Sequence, residues 1–451
     1  MRKAAPTQAK PEQKLFPPVL RVRVLSAVMA ILALCYLVEI RAPLRLTPDA
    51  IAYLQMTKSA VRGNGFLVDG VKSHFPAGYP AMLAALDLMG LGTNAAFVAL
   101  NCVFLAVALA AAYRLLRKVF GFEPWFALLL CCLTMLAGAC IRQNGWALSD
   151  MPYMGVSLAC LAAIASADRL TGWRSWSVTA LAFAMAVAAT SIRTVGIVLV
   201  PSLLWACVVR WKPVPEIIRQ LRSDKRVTAV LAAAALAAVG VAVVIATRTL
   251  YFREMVDKYL QGGFIAVVGR TLNWRLSEFG MIAMNAATAE APLYMRAAGL
   301  AAICLTARGL WKRRRVFATT DVYVLLYALF MAIWPYSDDR FWLPLVPLLL
   351  ALWTMGLRGL IPRPVPRLAV VAYLALFAFL GYQIMDDEIR VSLSGRNFPE
   401  RYWYSRFDPS FMATYRKAFG SKEEFDPAAV DPRALEVLQW YEPLARPAKG
   451  R

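Results

Sequence analysis

Long apolar runs separated by short basic segments recur along the whole chain. The runs at 24–40, 95–113, 124–140, 150–167, 175–191, 195–209, 227–247, 295–309, 319–335, 341–357 and 368–385 are of near-spanning length. Crossing hydrocarbon takes about 20 largely apolar residues as helix. The pattern predicts an all-α polytopic membrane protein with about 11 transmembrane helices. A shorter run, 79–92, carries Asp87 and reads as a partial helix, re-entrant or interfacial. The short alternating strands of a β-barrel are missing from this pattern.

Composition agrees. Apolar residues make up 60% of the 451 and charged residues 17%, against roughly 45–50% and about 25% in soluble chains. A soluble fold and a disordered chain are excluded. Charge changes the picture through its position. Of 50 basic and 28 acidic residues, 25 basic and 4 acidic fall in Met1–Arg23, Arg114–Lys118, Asp168–Arg174, Arg210–Arg226, Arg308–Arg315 and Arg358–Arg367. Strongly basic short segments stay in the cytoplasm. The excess is therefore topological, and no nucleic-acid partner is expected. The first run reads as a membrane helix with a cytoplasmic N-terminus, because Arg41-Ala42-Pro43 is a poor match to a cleavage site.

This orientation gives three parts. Residues 1–23 are a basic cytoplasmic N-terminus. Residues 24–385 form the membrane module, with outer loops at 41–79 and 248–293. Residues 386–451 are a small outer region, too aromatic for disorder, which either helps hold an acceptor or acts as a structural lid. All eight cysteines lie inside apolar runs, so no disulfide framework or metal spacing is expected. His74 is the single histidine, which excludes a multi-histidine metal site.

The first outer loop carries the candidate chemistry. Thr47-Pro48-Asp49 is a helix start: a capping threonine, a proline at the first helical position and an acid in the first turn. The helix is expected to run to about Arg62 and stop at Gly63-Asn64-Gly65. Ile51, Leu54, Lys58 and Val61 share one face, which is expected to lie on the bilayer surface. Asp49, Tyr53 and Thr57 project elsewhere. A carboxylate at a helix N-terminus is favoured in its charged form. Asp49 is then either a proton acceptor or a simple complement to the helix dipole. His74 either binds a substrate phosphate or hydroxyl, or caps the segment that follows.

Pro48-Asp49-x3-Tyr53, Gly63-x-Gly65-Phe66 and Phe75-Pro76-Ala77-Gly78-Tyr79-Pro80 together resemble the first periplasmic loop of GT-C fold glycosyltransferases. The likeness is to bacterial enzymes similar to protein O-mannosyltransferases and to the lipid A aminoarabinose transferase. Leu148-Ser149-Asp150-Met151-Pro152, Ser191-Ile192-Arg193-Thr194-Val195-Gly196 and Asp339-Arg340-Phe341-Trp342-Leu343-Pro344 also resemble family segments, over about residues 24–385.

The resemblance implies transfer of a sugar from a polyprenyl-phosphate donor to a glycan, lipid or protein acceptor, with inversion. The site would face the outside of a bacterial inner membrane. It implies Asp49 as general base and Tyr53, His74, Tyr79, Asp150, Arg193 and Arg340 as substrate-binding residues. Arg193 either pairs with Asp150 or faces a lipid phosphate. Arg340 either contacts phosphate or pairs with Asp338 and Asp339. No cofactor is expected. Thr47 stands where the family often has a second acid, which leaves acceptor binding and a divalent-metal role open. Two other classes share the topology, a polyprenyl-lipid flippase or transporter and a non-catalytic assembly protein.

Overall fold

Prolines, caps and broken helices divide the apolar runs into elements. The computed structural model describes residues 17–211, 250–286, 292–358, 365–394, 409–419 and 425–442, and elements are numbered over these. The expected span at 227–247 lies outside the described residues. Helix α1 (Pro18–Val38) opens with proline at its first position. A short turn then leads to α2 (Pro48–Val61). Strands β1 (Leu67–Val68) and β2 (Val71–Lys72) form a small antiparallel hairpin. Its turn, Asp69-Gly70, has positive φ at both residues, which the asparagine- or aspartate-glycine turn tolerates. This hairpin is an addition to the all-helical expectation.

Helix α3 (Gly78–Leu88) has 11 residues. At about 1.5 Å per residue it is too short to cross a bilayer. Next come α4 (Asn94–Lys118), α5 (Pro124–Met135), α6 (Gly138–Asn144), α7 (Asp150–Ala167), α8 (Gly172–Ile192) and α9 (Leu199–Trp211). After α10 (Leu250–Gly262) and α11 (Phe264–Met284) come α12 (Leu293–Arg313), α13 (Thr319–Ala332), α14 (Val346–Leu357) and α15 (Val365–Ser394). Two short helices, α16 (Met412–Phe419) and α17 (Pro432–Tyr441), close the described chain.

Six described helices are long and apolar enough to cross a membrane, or seven if the bent pair α5–α6 is one span. The protein is therefore a multi-pass membrane protein. Of the eleven expected runs, one lies outside the described residues, and some of the others fall short for local reasons. Thr194–Arg210 and Thr319–Ala332 are apolar but short. Arg296 and Arg308 interrupt the apolar run of α12. The expected outer segment 248–293 contains two helices, and α11 packs along α12. Any Cβ at Gly280 would strike the Met295 carbonyl, and one at Gly299 the Leu276 carbonyl. Small residues allow such backbone approach.

The α5–α6 break, bent by 57°, is closed by one side chain. Asn285 Oδ1 accepts from Gly138 N at 2.6 Å, while its Nδ2 donates to the carbonyls of Leu136 and Phe377, each at 2.9 Å. Backbone groups freed at membrane depth need such partners.

The α2 face expected to lie on the bilayer lies inside the protein instead. Ile51 and Leu54 are buried, and Lys58 Nζ pairs with Asp87 on α3 at 3.2 Å. Periodicity defines an apolar face, and here α3 and the C-terminal helices cover it. Leu44 N donates to Glu442 Oε2 at 3.0 Å, Leu46 N donates to the Tyr415 hydroxyl at 2.7 Å, and that hydroxyl donates to Leu44 O at 3.0 Å. Arg45, fully buried, pairs with Glu388 of α15 at 2.5 Å. The chain is thereby held on several sides just before α2.

Candidate active site

Helix α2 starts as its sequence requires. Thr47 Oγ1 accepts from Ala50 N at 3.0 Å, Pro48 opens the first turn, and Asp49 follows. A cavity of about 390 Å³ lies over this helix start, walled by the His74-Phe75-Pro76 segment, the start of α7, the α8–α9 break and the 334–341 segment. Six of the seven expected site residues line it: Asp49, Tyr53, His74, Asp150, Arg193 and Arg340. Tyr79 does not. It is buried behind Tyr53, edge-on at 5.2 Å between ring centroids, so the structure gives it a backing position.

Arg340 is the hub. Its Nη2 lies 2.5 Å from Asp49 Oδ2 and its Nε lies 2.7 Å from Asp338 Oδ2. The Asp49 side chain is 32% exposed and that of Arg340 13%, so the carboxylate is the more accessible partner. Across the cavity, Arg193 pairs with Asp150. Arg193 stands where α8 ends in extended backbone. Gly196 permits the break, since a Cβ there would meet the Thr190 amide nitrogen. Both guanidinium groups lie over the Phe341 ring, with Cζ at 5.3 Å (Arg193) and 5.4 Å (Arg340) from its centroid.

The Tyr53 hydroxyl is 3.1 Å from Ser149 Oγ. Burial raises its pKa, with Arg193 and the Ser149 contact opposing. Tyr53 therefore stays protonated near neutral pH and acts as a hydrogen-bonding group. Burial also raises the pKa of Asp338, against the pull of Arg340. Val195, Phe330, Met331, Trp334 and Phe341 give the cavity an apolar stretch of wall. Among the described residues no three His, Cys, Asp or Glu side chains cluster as metal ligands.

The segment carrying Arg340 is fixed by two residues of α11 that the sequence analysis did not single out. Glu278 of α11 accepts from Ser337 Oγ at 2.9 Å, Asp338 N at 3.0 Å and Trp342 Nε1 at 2.6 Å. Arg275 donates to Glu278 at 2.5 Å, to the Trp334 carbonyl at 3.1 Å and to the Tyr336 carbonyl. The signal in the sequence is Arg275-x-x-Glu278, opposite charges at i,i+3 of one helix. Asp339, weighed as a partner for Arg340, pairs instead with Arg142.

No family model and no curated protein sequence matches this chain. Solved structures do. ArnT from Cupriavidus metallidurans bound to undecaprenyl phosphate superposes with a TM-score of 0.52 at 14% identity, over 92% of this chain and 85% of that one. The apo state of the same ArnT gives 0.51 at 15% identity, over 93% and 84%. The chain has the GT-C fold. The GT-C likeness extends to the oligosaccharyltransferase AglB from Archaeoglobus fulgidus, in complex with an inhibitory peptide and a dolichol-phosphate. There the TM-score is 0.50 at 13% identity, over 93% of this chain and 60% of the archaeal one.

Proposed function

We propose that this protein is a glycosyltransferase that moves a sugar from a polyprenyl-phosphate donor to an acceptor at the outer face of a bacterial inner membrane. The observation that carries this reading is the Asp49–Arg340 pair lining an amphipathic cavity. A polyprenyl-phosphate sugar has an anionic phosphate, a polar sugar and an apolar tail. The cavity offers two guanidinium groups, several polar side chains and an apolar wall. The ligands named in the ArnT and AglB structures, undecaprenyl phosphate and dolichol-phosphate, are of the same chemical kind.

The proposed reaction is one displacement. The acceptor oxygen or nitrogen attacks the anomeric carbon, and its proton passes to the Asp49 carboxylate. The bond from that carbon to the phosphate oxygen breaks, and the electron pair leaves on the phosphate. Direct attack inverts the anomeric centre. Polyprenyl phosphate departs as a stable anion, so cationic stabilisation matters more than proton donation. Arg340 and Arg193 supply it, and guanidinium suits phosphate because its planar fork binds bidentately. Phosphate competes with Asp49 for Arg340, so donor binding frees the carboxylate to act as base. This scheme assigns no step to a cofactor.

The test compares membrane lipids by mass spectrometry in cells with wild-type protein or Asp49→Asn at equal abundance. A loss of transfer of about 10²–10⁴-fold is expected for a missing general base, with one polyprenyl-phosphate sugar accumulating. Unchanged lipids in a cell with the pathway active would overturn the assignment.

A further inference from the structure

Helix α2 touches more than the central cavity. Asp49, Ala52, Gln55, Ser59 and Arg62 follow one another at steps of three or four, so they form one ridge of the helix. Asp49 lines the central cavity. Ala52 lines a crevice of about 360 Å³ that shares His74 and Phe75 with that cavity and is bounded by the β1–β2 hairpin. Gln55, Ser59 and Arg62 line an outer groove of about 270 Å³ between α2, the hairpin and α17. The three spaces follow the ridge outward, and Gln55 stands about 9 Å along the helix from Asp49.

The outer groove has a polar group with no partner among the described residues. Gln55 is 8% exposed, and its Nε2 donates to Asp69 Oδ1 at 2.9 Å. A carboxylate only accepts, which fixes the amide orientation. Gln55 Oε1 then has no hydrogen-bond partner among the described residues. Around it stand Asn64, Asp69, Glu436 and the Trp440 indole, with Arg62 Cζ 5.2 Å from that ring. Lys58 and Arg62 balance Asp69 and Glu436, so the groove favours neither an anion nor a cation. Mixed donors and acceptors beside an indole suit a ligand with many hydroxyls and apolar C–H faces. The hairpin strands, two residues each, offer too short an edge for β-strand addition of a peptide.

We propose that this groove binds the acceptor, and that the acceptor is a neutral glycan whose chain runs along α2 toward Asp49. The inference rests on the glycosyltransferase reading and adds the substrate class to it. The test uses the purified full-length protein in lipid nanodiscs and saturation-transfer NMR. The probes are neutral oligosaccharides of two to four units built from glucose, galactose, mannose and N-acetylglucosamine, with a neutral tetrapeptide for comparison. At least one oligosaccharide binds the wild type, and Gln55→Leu and Trp440→Phe weaken it about tenfold, the order of one lost polar or aromatic contact. Undecaprenyl phosphate binding, measured on the same samples, stays unchanged in both variants and reports that they are folded. Absence of oligosaccharide binding, binding indifferent to both substitutions, or preference for the peptide overturns the proposal. Failure of undecaprenyl phosphate to bind any sample counts against the donor reading of the central cavity and leaves the groove to be judged by its own result.

Discussion

Arg340 contacts two carboxylates at once, through Nη2 and Nε. A lysine offers one compact charge in place of a rigid fork. Arg340→Lys is expected to keep the fold and to weaken undecaprenyl phosphate binding by about 1.5–3 kcal/mol, the range for a hydrogen bond to a charged group. Titration in nanodiscs measures this, and equal affinity would remove Arg340 from phosphate binding. At this scale the sequence offers residue identities and some pairs, Arg193 with Asp150 and Arg340 with Asp338 among them, and misses the partner of Asp49. Asp49 is legible from Thr47-Pro48-Asp49, since capping is local. Its partner lies 291 positions away, and no local pattern joins them. Tyr79 misleads for the same reason: a tyrosine near a membrane boundary looks like a ligand contact until Tyr53 is found in front of it.

Among the elements, α11 does the most for the cavity without lining it. Arg275 and Glu278 grip the 334–342 segment at several points. Removing Glu278 as alanine leaves Arg275 buried without its carboxylate. Losing one partner of a buried pair costs about 3–5 kcal/mol. Glu278→Ala should therefore lower thermal stability strongly, while Glu278→Gln keeps most contacts and shows the smaller loss. Thermal unfolding of the two variants in the same detergent decides this, and equal melting would remove the clamp. The helical spacing that identifies α2 also identifies its apolar face. It could not say that α3 and α17 cover that face, because Lys58 reads as interfacial until Asp87 and the Tyr441 ring are beside it. Likewise the bend between α5 and α6 is invisible in hydropathy, since Asn285, which closes it, lies in another segment.

Over the whole molecule, the order of apolar runs and the family-like motifs were enough to anticipate the GT-C fold. Among the described residues, hydropathy does not separate short and broken helices from full spans, because they share the same composition. The C-terminal region is tied to the site through the residues just ahead of α2. Tyr415 and Glu442 hold Leu44 and Leu46, and Asp49 follows three residues after Leu46. A chain ending at residue 408 is expected to insert in the membrane, to lose transfer activity and to become cleavable by protease near residues 42–47. Full activity in that variant would show that the region is dispensable.

The central cavity sets three carboxylates, Asp49, Asp150 and Asp338, against two guanidinium groups. An arriving phosphodiester adds a further negative charge to a space already one short of neutrality. The least costly compensation is a proton, and Asp338, whose burial already favours its acid form, is the nearest carboxylate to take one. Under the proposed function, donor capture and proton capture are thermodynamically linked. Affinity for a phosphodiester analogue, which stays a monoanion near neutral pH, should rise as the solution becomes more acidic; because His74 lines the same cavity, the comparison is made with His74→Gln in place, where Asp338→Asn should abolish the slope. A flat profile in the wild type would mean that the missing positive charge arrives by another route.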